Sequence, residues 1–238
     1  MTIEEFSNNF DTYFSTTLKS LLGVNAQQAS VSEYDKSVFL TRAQENFILS
    51  LYRGDNSVFE NTEETRRYVS TLLRDVSIKD EIYEDRPLTL SKKSHFYRLP
   101  DDVWFVILEF IRPKTDDKCN DDFTISVTPA LHDEWNNLKS NPFRGANSRR
   151  ALRFDVRKNV VEIVAEDNIK EYCLRYLARP KPIILIPLMH DDLTIEGCTE
   201  VSGCELPESV HDKILLDAVS MAVSPYANAA ANKTVSQK

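Results

Sequence analysis

The spacing of apolar residues changes once along this chain, and that change limits what it can fold into. Up to about residue 86, large apolar side chains recur at three- and four-residue steps, the repeat of one helix face. Between Phe96 and Tyr176 they tend to alternate, the repeat of a strand with two unlike faces. A helical pattern returns after Pro207. Helices, then strands, then a closing helix make an α+β chain rather than a repeating βαβ one.

The N-terminal third reads as three helices. Thr2 and Glu5 form a capping-box pair, and Ile3, Phe6, Phe10, Tyr13, Phe14, Leu18 and Leu21 follow on one stripe as far as Gly23. That aromatic stripe fits a core face or a partner-docking face. After a polar connector (24–32), Thr41 and Gln44 suggest a second capping box. Ala43, Phe47, Ile48, Leu51 and Tyr52 supply its buried face, and Gly54 its end. Asn61 with Glu64 starts a third helix, striped by Tyr68, Val69, Leu72 and Leu73.

From residue 87 the predicted elements are strands. Residues 96–99 and 103–111 are rich in β-branched and aromatic side chains and are linked by Pro100-Asp101-Asp102, a turn sequence. Residues 114–122 are polar enough for an exposed loop. Phe123, Ile125 and Val127 alternate with polar residues, as do Tyr172, Leu174 and Tyr176. Pro180, Pro182 and Pro187 break up the apolar run 183–188, which favours an edge strand or an extended arm. In the last helix Val210, Ile214, Ala218, Met221 and Ala222 share a face up to Pro225, and a small, polar tail follows that is expected to be flexible. The expected architecture is N-terminal helices (1–86), an antiparallel sheet or sandwich block with a short inserted helix (87–206), and a closing helix with a flexible tail (207–238) packing on the helical region. One continuous domain is the alternative.

The most unusual stretch is 128–164. Thr128-Pro129 reads as a helix start, Leu131, Trp135 and Leu138 as its apolar stripe, and Asn141-Pro142 as its stop. Arg144, Arg149, Arg150, Arg153, Arg157 and Lys158 follow. In the strand after the loop, Leu152, Phe154 and Val156 alternate with Arg153, Asp155 and Arg157, one face for burial and one for charge; Lys158-Asn159 then turns it into a hairpin with 160–164. The stretch reads as a docking surface, with Arg144, Arg149, Arg150, Arg153, Arg157, Phe143 and Trp135 as its candidate contacts.

Charge sharpens that reading. The chain has 238 residues and a formal net charge of −8. Residues 1–85 carry 15 acidic and 8 basic side chains, net −7, whereas residues 139–158 carry seven basic and one acidic, net +6. Solvated faces that happen to differ would explain this, and so would self-complementary patches on neighbouring copies. Arginine's fixed fork suits carboxylates at subunit contacts. The same segment could neutralise phosphates, which keeps a nucleic-acid-binding regulator as the alternative, although no RNA-recognition or zinc-finger motif accompanies it.

Chemistry has few handholds. No nucleophile elbow, P-loop, dinucleotide fingerprint or His-Glu-x-x-His occurs, and five glycines are few for a phosphate-cradling enzyme. His132-Asp133-Glu134 and His211-Asp212 are consecutive, so they diverge around a helix. Cys198 and Cys204 have five residues between them, outside usual zinc spacing. His190 and His211 could join them, but two small buried thiols fit better. No run approaches a membrane span of about 20 residues, and no signal-peptide order opens the chain. These features predict a non-enzymatic protein without cofactor, metal or membrane, made in the cytoplasm, with Cys119, Cys173, Cys198 and Cys204 as free thiols.

Five stretches carry a family resemblance: Glu-Tyr-Asp-Lys-Ser-Val-Phe-Leu-Thr-Arg-Ala-Gln-Glu (33–45), Leu-Pro-Asp-Asp-Val-Trp-Phe (99–105), Asn-Pro-Phe-Arg-Gly-Ala-Asn-Ser-Arg-Arg (141–150), Leu-Arg-Tyr-Leu-Ala-Arg-Pro-Lys-Pro (174–182) and Glu-Leu-Pro-Glu-Ser-Val-His-Asp-Lys-Ile-Leu-Leu-Asp-Ala-Val (205–219). Over roughly residues 33–223 the chain resembles neck proteins of crAss-like tailed bacteriophages. Its last part also resembles a helix of tail tubular adaptor proteins from short-tailed phages. The resemblance implies a virion component that forms a homo-oligomeric ring, of twelve copies, between portal and tail. Its partners would be the portal protein, adjoining ring proteins and genomic DNA passing without sequence-specific binding.

Overall fold

Thr2 and Glu5 close a reciprocal cap at the first turn of α1 (Ile3–Leu22): the Thr2 amide donates to Glu5 Oε2 at 2.8 Å and the Glu5 amide to Thr2 Oγ1 at 3.2 Å. The computed structural model describes residues 1–22, 30–53, 63–82, 88–114, 123–188 and 193–235. Gly23, Gly54, Asn61, Cys119, His190 and most of the loop expected at 114–122 lie outside the described residues. The chain forms two compact units, Met1–Leu72 with Pro180–Lys238, and Leu73–Arg179.

In the first unit, α1 and α2 (Glu33–Arg53) pack against α5 (His211–Val235). The aromatic stripe of α1 is a core face: Phe6, Phe10, Phe14 and Leu18 are buried, and Phe14 meets Tyr226 edge-on at 6.0 Å. Tyr13 and Leu21 stay exposed. The buried ammonium of Lys36 joins α1 to α2, donating to Asp11 and Glu33 at 2.7 Å each. Burial works against its charge, but those two carboxylates outweigh it and hold its pKa above the ordinary lysine value.

Three expectations for this unit are corrected. Helix α2 starts at Glu33, not Thr41; Ser32 and Asp35 form its cap, with the Asp35 amide 3.1 Å from Ser32 Oγ. Thr41 and Gln44 are mid-helix. Helix α3 covers only Glu63–Ser70, and Leu73, expected on its stripe, opens a strand. Helix α5 runs through Pro225 to Val235 instead of stopping there. A proline inside a helix costs a hydrogen bond and a clash, and Ala227, Ala229, Ala230 and Ala231, the best helix formers, favour continuation.

Buried Ser37, Thr41 and Gln44 form a polar row on α2 that holds the proline-broken arm. The Leu185 amide donates to Ser37 Oγ at 3.0 Å, the Ile183 amide to Thr41 Oγ1 at 3.0 Å, and Gln44 Nε2 to the Lys181 carbonyl at 2.9 Å. Four helical residues rise ~6 Å and two extended residues ~6.6 Å, so side chains at i and i+4 can meet alternate residues of an extended chain. The arm's other edge pairs with a returning segment: Ile184 and Ser202 exchange backbone bonds of 2.9 and 3.1 Å, and the Leu188 amide donates to the Thr199 carbonyl at 3.0 Å. The amides of Ile183 and Leu185 thus find on a helix the acceptors that a neighbouring strand would otherwise supply.

The second unit is one seven-stranded sheet in the order β1-β7-β3-β4-β5-β6-β2, with β1 Leu73–Ile78, β2 Ser94–Arg98, β3 Val103–Pro113, β4 Ile125–Pro129, β5 Arg150–Arg157, β6 Val160–Val164 and β7 Ile169–Ala178. All neighbours are antiparallel except β4 and β5, which run parallel. The sheet is therefore mixed, not purely antiparallel. Although joined by a turn, β2 and β3 do not pair; β2 lies beside β6. Tyr97 of β2 and Tyr172 of β7 are five strand spacings apart, roughly 24 Å across a flat sheet. Their rings nonetheless lie 5.4 Å apart, so the sheet curls around a core that includes Ile111, Ile125, Val161 and Ile163. Three register shifts along β3 supply local bends.

Thr41→Val keeps the shape of the α2 row and strands the buried Ile183 amide. It is expected to lower the unfolding free energy by about 1–3 kcal/mol, with Thr41→Ser losing less, read from urea denaturation midpoints. A valine variant as stable as wild type would show that the hydroxyl does not hold the arm.

Candidate functional site

A parallel pair cannot be joined by a tight turn, so the chain must cross over between β4 and β5, and residues 130–149 make that crossing. They begin with a 3-10 turn, His132–Glu134, which runs into the short α4 (Trp135–Leu138). Thr128 and Pro129, expected to start the helix, instead end β4. The turn's cap position is Leu131, which makes no side-chain cap bond and is 65% exposed. The anchor is further along: Leu138 is buried with Leu152, Phe154 and Val164, and Trp135 is half-buried and stands edge-on to Phe154 at 5.7 Å. His132 donates from Nε2 to the Asp155 carbonyl at 2.9 Å.

Beyond α4 the loop is locked by its own side chains. Asn141 Oδ1 accepts from the Phe143 and Arg144 amides at 2.9 and 3.1 Å, and Asn147 Oδ1 accepts from the Arg149 amide at 2.9 Å. Asn147 and Arg150 also exchange backbone bonds of 2.8 and 3.1 Å. A Cβ on Gly145 would lie 2.6 Å from the Leu138 carbonyl oxygen and 2.7 Å from that of Asn141, so only glycine fits this crossing. The result is a braced loop that presents Phe143, 85% exposed, together with exposed Arg144 and Arg149.

The expected contact residues therefore separate. Phe143, Arg144 and Arg149 form the exposed head. Half-buried Arg150 braces it, donating to the Phe143 carbonyl at 3.0 Å, and Trp135 anchors it from below. Arg157 is exposed at the far end of β5, seven residues from Arg150 and roughly 23 Å away along a strand. Arg153 is not on that surface. It turns inward to Glu109 at 3.0 Å, whose other oxygen accepts from the Tyr172 hydroxyl at 2.6 Å. Burial opposes the Arg153 charge, but Glu109 and Asp155 outweigh it and raise its pKa; burial, then Glu109, pushes the Tyr172 phenol far above its usual range. The expected charged face holds at Asp155 and Arg157, which are exposed, and fails at Arg153, which pairs with Glu109 of β3 inside the curled sheet; the crossover covers the opposite, Leu152–Phe154 face.

The residues considered for chemistry have structural surroundings. His211 is buried and donates from Nε2 to the Leu206 carbonyl at 2.8 Å, and burial holds its pKa below the usual value. Cys173, Cys198 and Cys204 are free thiols, with Cys198 exposed rather than buried. Burial pushes the half-buried Cys204 up to about 11. Among the described residues, no three His, Cys, Asp or Glu side chains group to hold a metal, and no helix is long and apolar enough to cross a membrane.

Arg153→Met, which leaves Glu109 buried without its cation, is expected to cost about 3–5 kcal/mol. Arg149→Ala is expected to stay within about 0.5 kcal/mol of wild type. Urea unfolding of the two variants compares them, and equal small losses would place Arg153 back on the surface.

The sequence matches the family described as phage tail ring protein 3/4 over residues 1–234. It is 37% identical over 238 residues to Ring protein 3 of Bacteroides phage crAss001, covering 98% of this chain and 100% of that one. It is 27% identical over 236 residues to Ring protein 4/5 of the same phage, covering 95% and 94% respectively. With the match running from the capped start of α1 through the braced crossover to the end of α5, the chain belongs to the phage tail ring protein 3/4 family of crAss-like phages.

Proposed function

We propose that this chain is a non-enzymatic structural protein of the virion that assembles with itself into a ring in the phage neck. The ring lies between portal and tail, joins head to tail and surrounds the channel through which the genome is packaged and ejected. The observation that carries this reading is the end-to-end family match, together with the 37% identity to Ring protein 3. The braced basic loop on a chain of net charge −8 supports it, because unlike patches on one chain suit the head-to-tail contacts of a cyclic assembly.

Twelve copies are expected, with the portal protein and adjoining ring proteins as neighbours. Genomic DNA passes without sequence-specific binding, and net negative charge weakens its adhesion to the wall. The protein is made in the host cytoplasm and resides in the virion neck. The interface centres on Phe143, Arg144 and Arg149, with Arg150 and Trp135 holding them in place.

Electron microscopy of the purified protein, alone and mixed with the portal protein, tests this directly. The expected images are closed annuli with an open centre and twelvefold symmetry. Absence of any closed annulus under both conditions would overturn the ring reading, and a different symmetry would correct the copy number alone.

A further inference from the structure

A cyclic ring closes through contacts between unlike surfaces, so each copy needs a second patch complementary to its first. The crossover loop is one patch: an exposed aromatic ring, Phe143, with the exposed guanidiniums of Arg144 and Arg149 on the same loop. Its counterpart must offer an apolar seat with carboxylates at the lip. The helical unit contains such a place. There α2 and residues 194–196 enclose a groove of about 260 Å³ whose lining includes Tyr34, Val38, Ile195, Arg42, Glu45 and Glu196. Tyr34 and Val38 pack with Ile195 along its wall.

The lip carries its carboxylate at a conformational cost. Ile195 and Cys198 exchange backbone bonds of 3.1 and 2.9 Å around a two-residue turn, with Glu196 at φ 53° and Gly197 at φ 80°. Two left-handed residues make the tight hairpin turn in which Asn, Asp or Gly is the favoured first residue. Glutamate is poorly suited to that backbone, yet here it puts an exposed carboxylate beside the groove. Glu45 adds a second carboxylate to the lining from α2. The larger balance points the same way, since residues 1–85 are net −7 and residues 139–158 net +6.

We propose that the crossover loop of one copy docks into this groove on the neighbouring copy. Phe143 seats against Tyr34, Val38 and Ile195, while Arg144 and Arg149 face Glu45 and Glu196. The proposal rests on the ring reading and adds which two surfaces meet. Its occupant is a second copy of this chain because the aromatic ring and arginines of the loop match the apolar wall and carboxylates of the groove. The apolar tip supplies burial, and the flanking charges set partner and register.

Complementary charge reversal tests it by sedimentation velocity. One variant carries Arg144→Glu with Arg149→Glu, the other Glu45→Lys with Glu196→Lys. Alone, each sets like charges against each other at every contact, and its assembly midpoint is expected to rise about tenfold or more. Mixed in equal amounts, every loop again faces an opposite groove, and rings are expected to return with the two variants alternating. Phe143→Ala, a change at an exposed position that leaves the fold intact, is expected to raise the midpoint without lowering Tm. Wild-type rings with all three variants assembling at the wild-type midpoint would overturn this pairing and leave the ring reading standing. A wild type that forms no closed species, with or without portal protein, would overturn both.

Discussion

The parallel pairing of β4 with β5 is the constraint on which the exposed surface of this protein depends. A parallel neighbour demands a crossover, and here the crossover is long enough to carry a short helix and a braced loop. Leu138 and Trp135 fasten it to the outer side of β5, Gly145 lets two carbonyl oxygens approach, and the Asn141 and Asn147 side chains satisfy loop amides. A loop built this way loses little conformational entropy when something binds it. An exposed phenylalanine on a rigid support is thus better placed for docking than the same residue on a mobile tip.

The same pairing explains the division of labour among the arginines. Because β5 lies inside a curled sheet, Arg153 is drawn to Glu109 and Tyr172, while Asp155 and Arg157 further along the same face stay exposed. A buried ion pair is weak evidence for net stability but costly to break. Its value here is positional: it ties β3, β5 and β7 together under the crossover. The helical unit solves a comparable problem differently, using hydroxyl and amide side chains of α2 as a substitute strand edge for an arm whose prolines cannot donate.

Much of this was legible in the residues, where local chemistry decides. The Thr2–Glu5 cap, the aromatic stripe of α1, the hairpin at Lys158-Asn159 and the exposure of Phe143, Arg144 and Arg149 depend on near neighbours. The failures share a cause in distant partners. Thr41 and Gln44 have the spacing of a cap, but their acceptors and donors are more than a hundred residues away. Strand β1 has no clean alternation and is defined by its pairing with β7. Arg153 looked exposed because alternation on a strand implies one solvent face, an assumption that a curled, covered sheet breaks. The groove beside Glu196 was hidden for the same reason, since α2 and the Glu196 turn meet only in the folded unit.

Family membership and a braced, exposed basic loop support the proposal that this chain builds a closed ring from copies of itself. The most direct test is the molar mass of the purified protein by light scattering over a concentration series, with portal protein added in a parallel series. Ring closure predicts a single discrete large species whose mass stops growing once the ring is closed. A monomer at every concentration in both series, or a ladder of species that lengthens without limit, would contradict it.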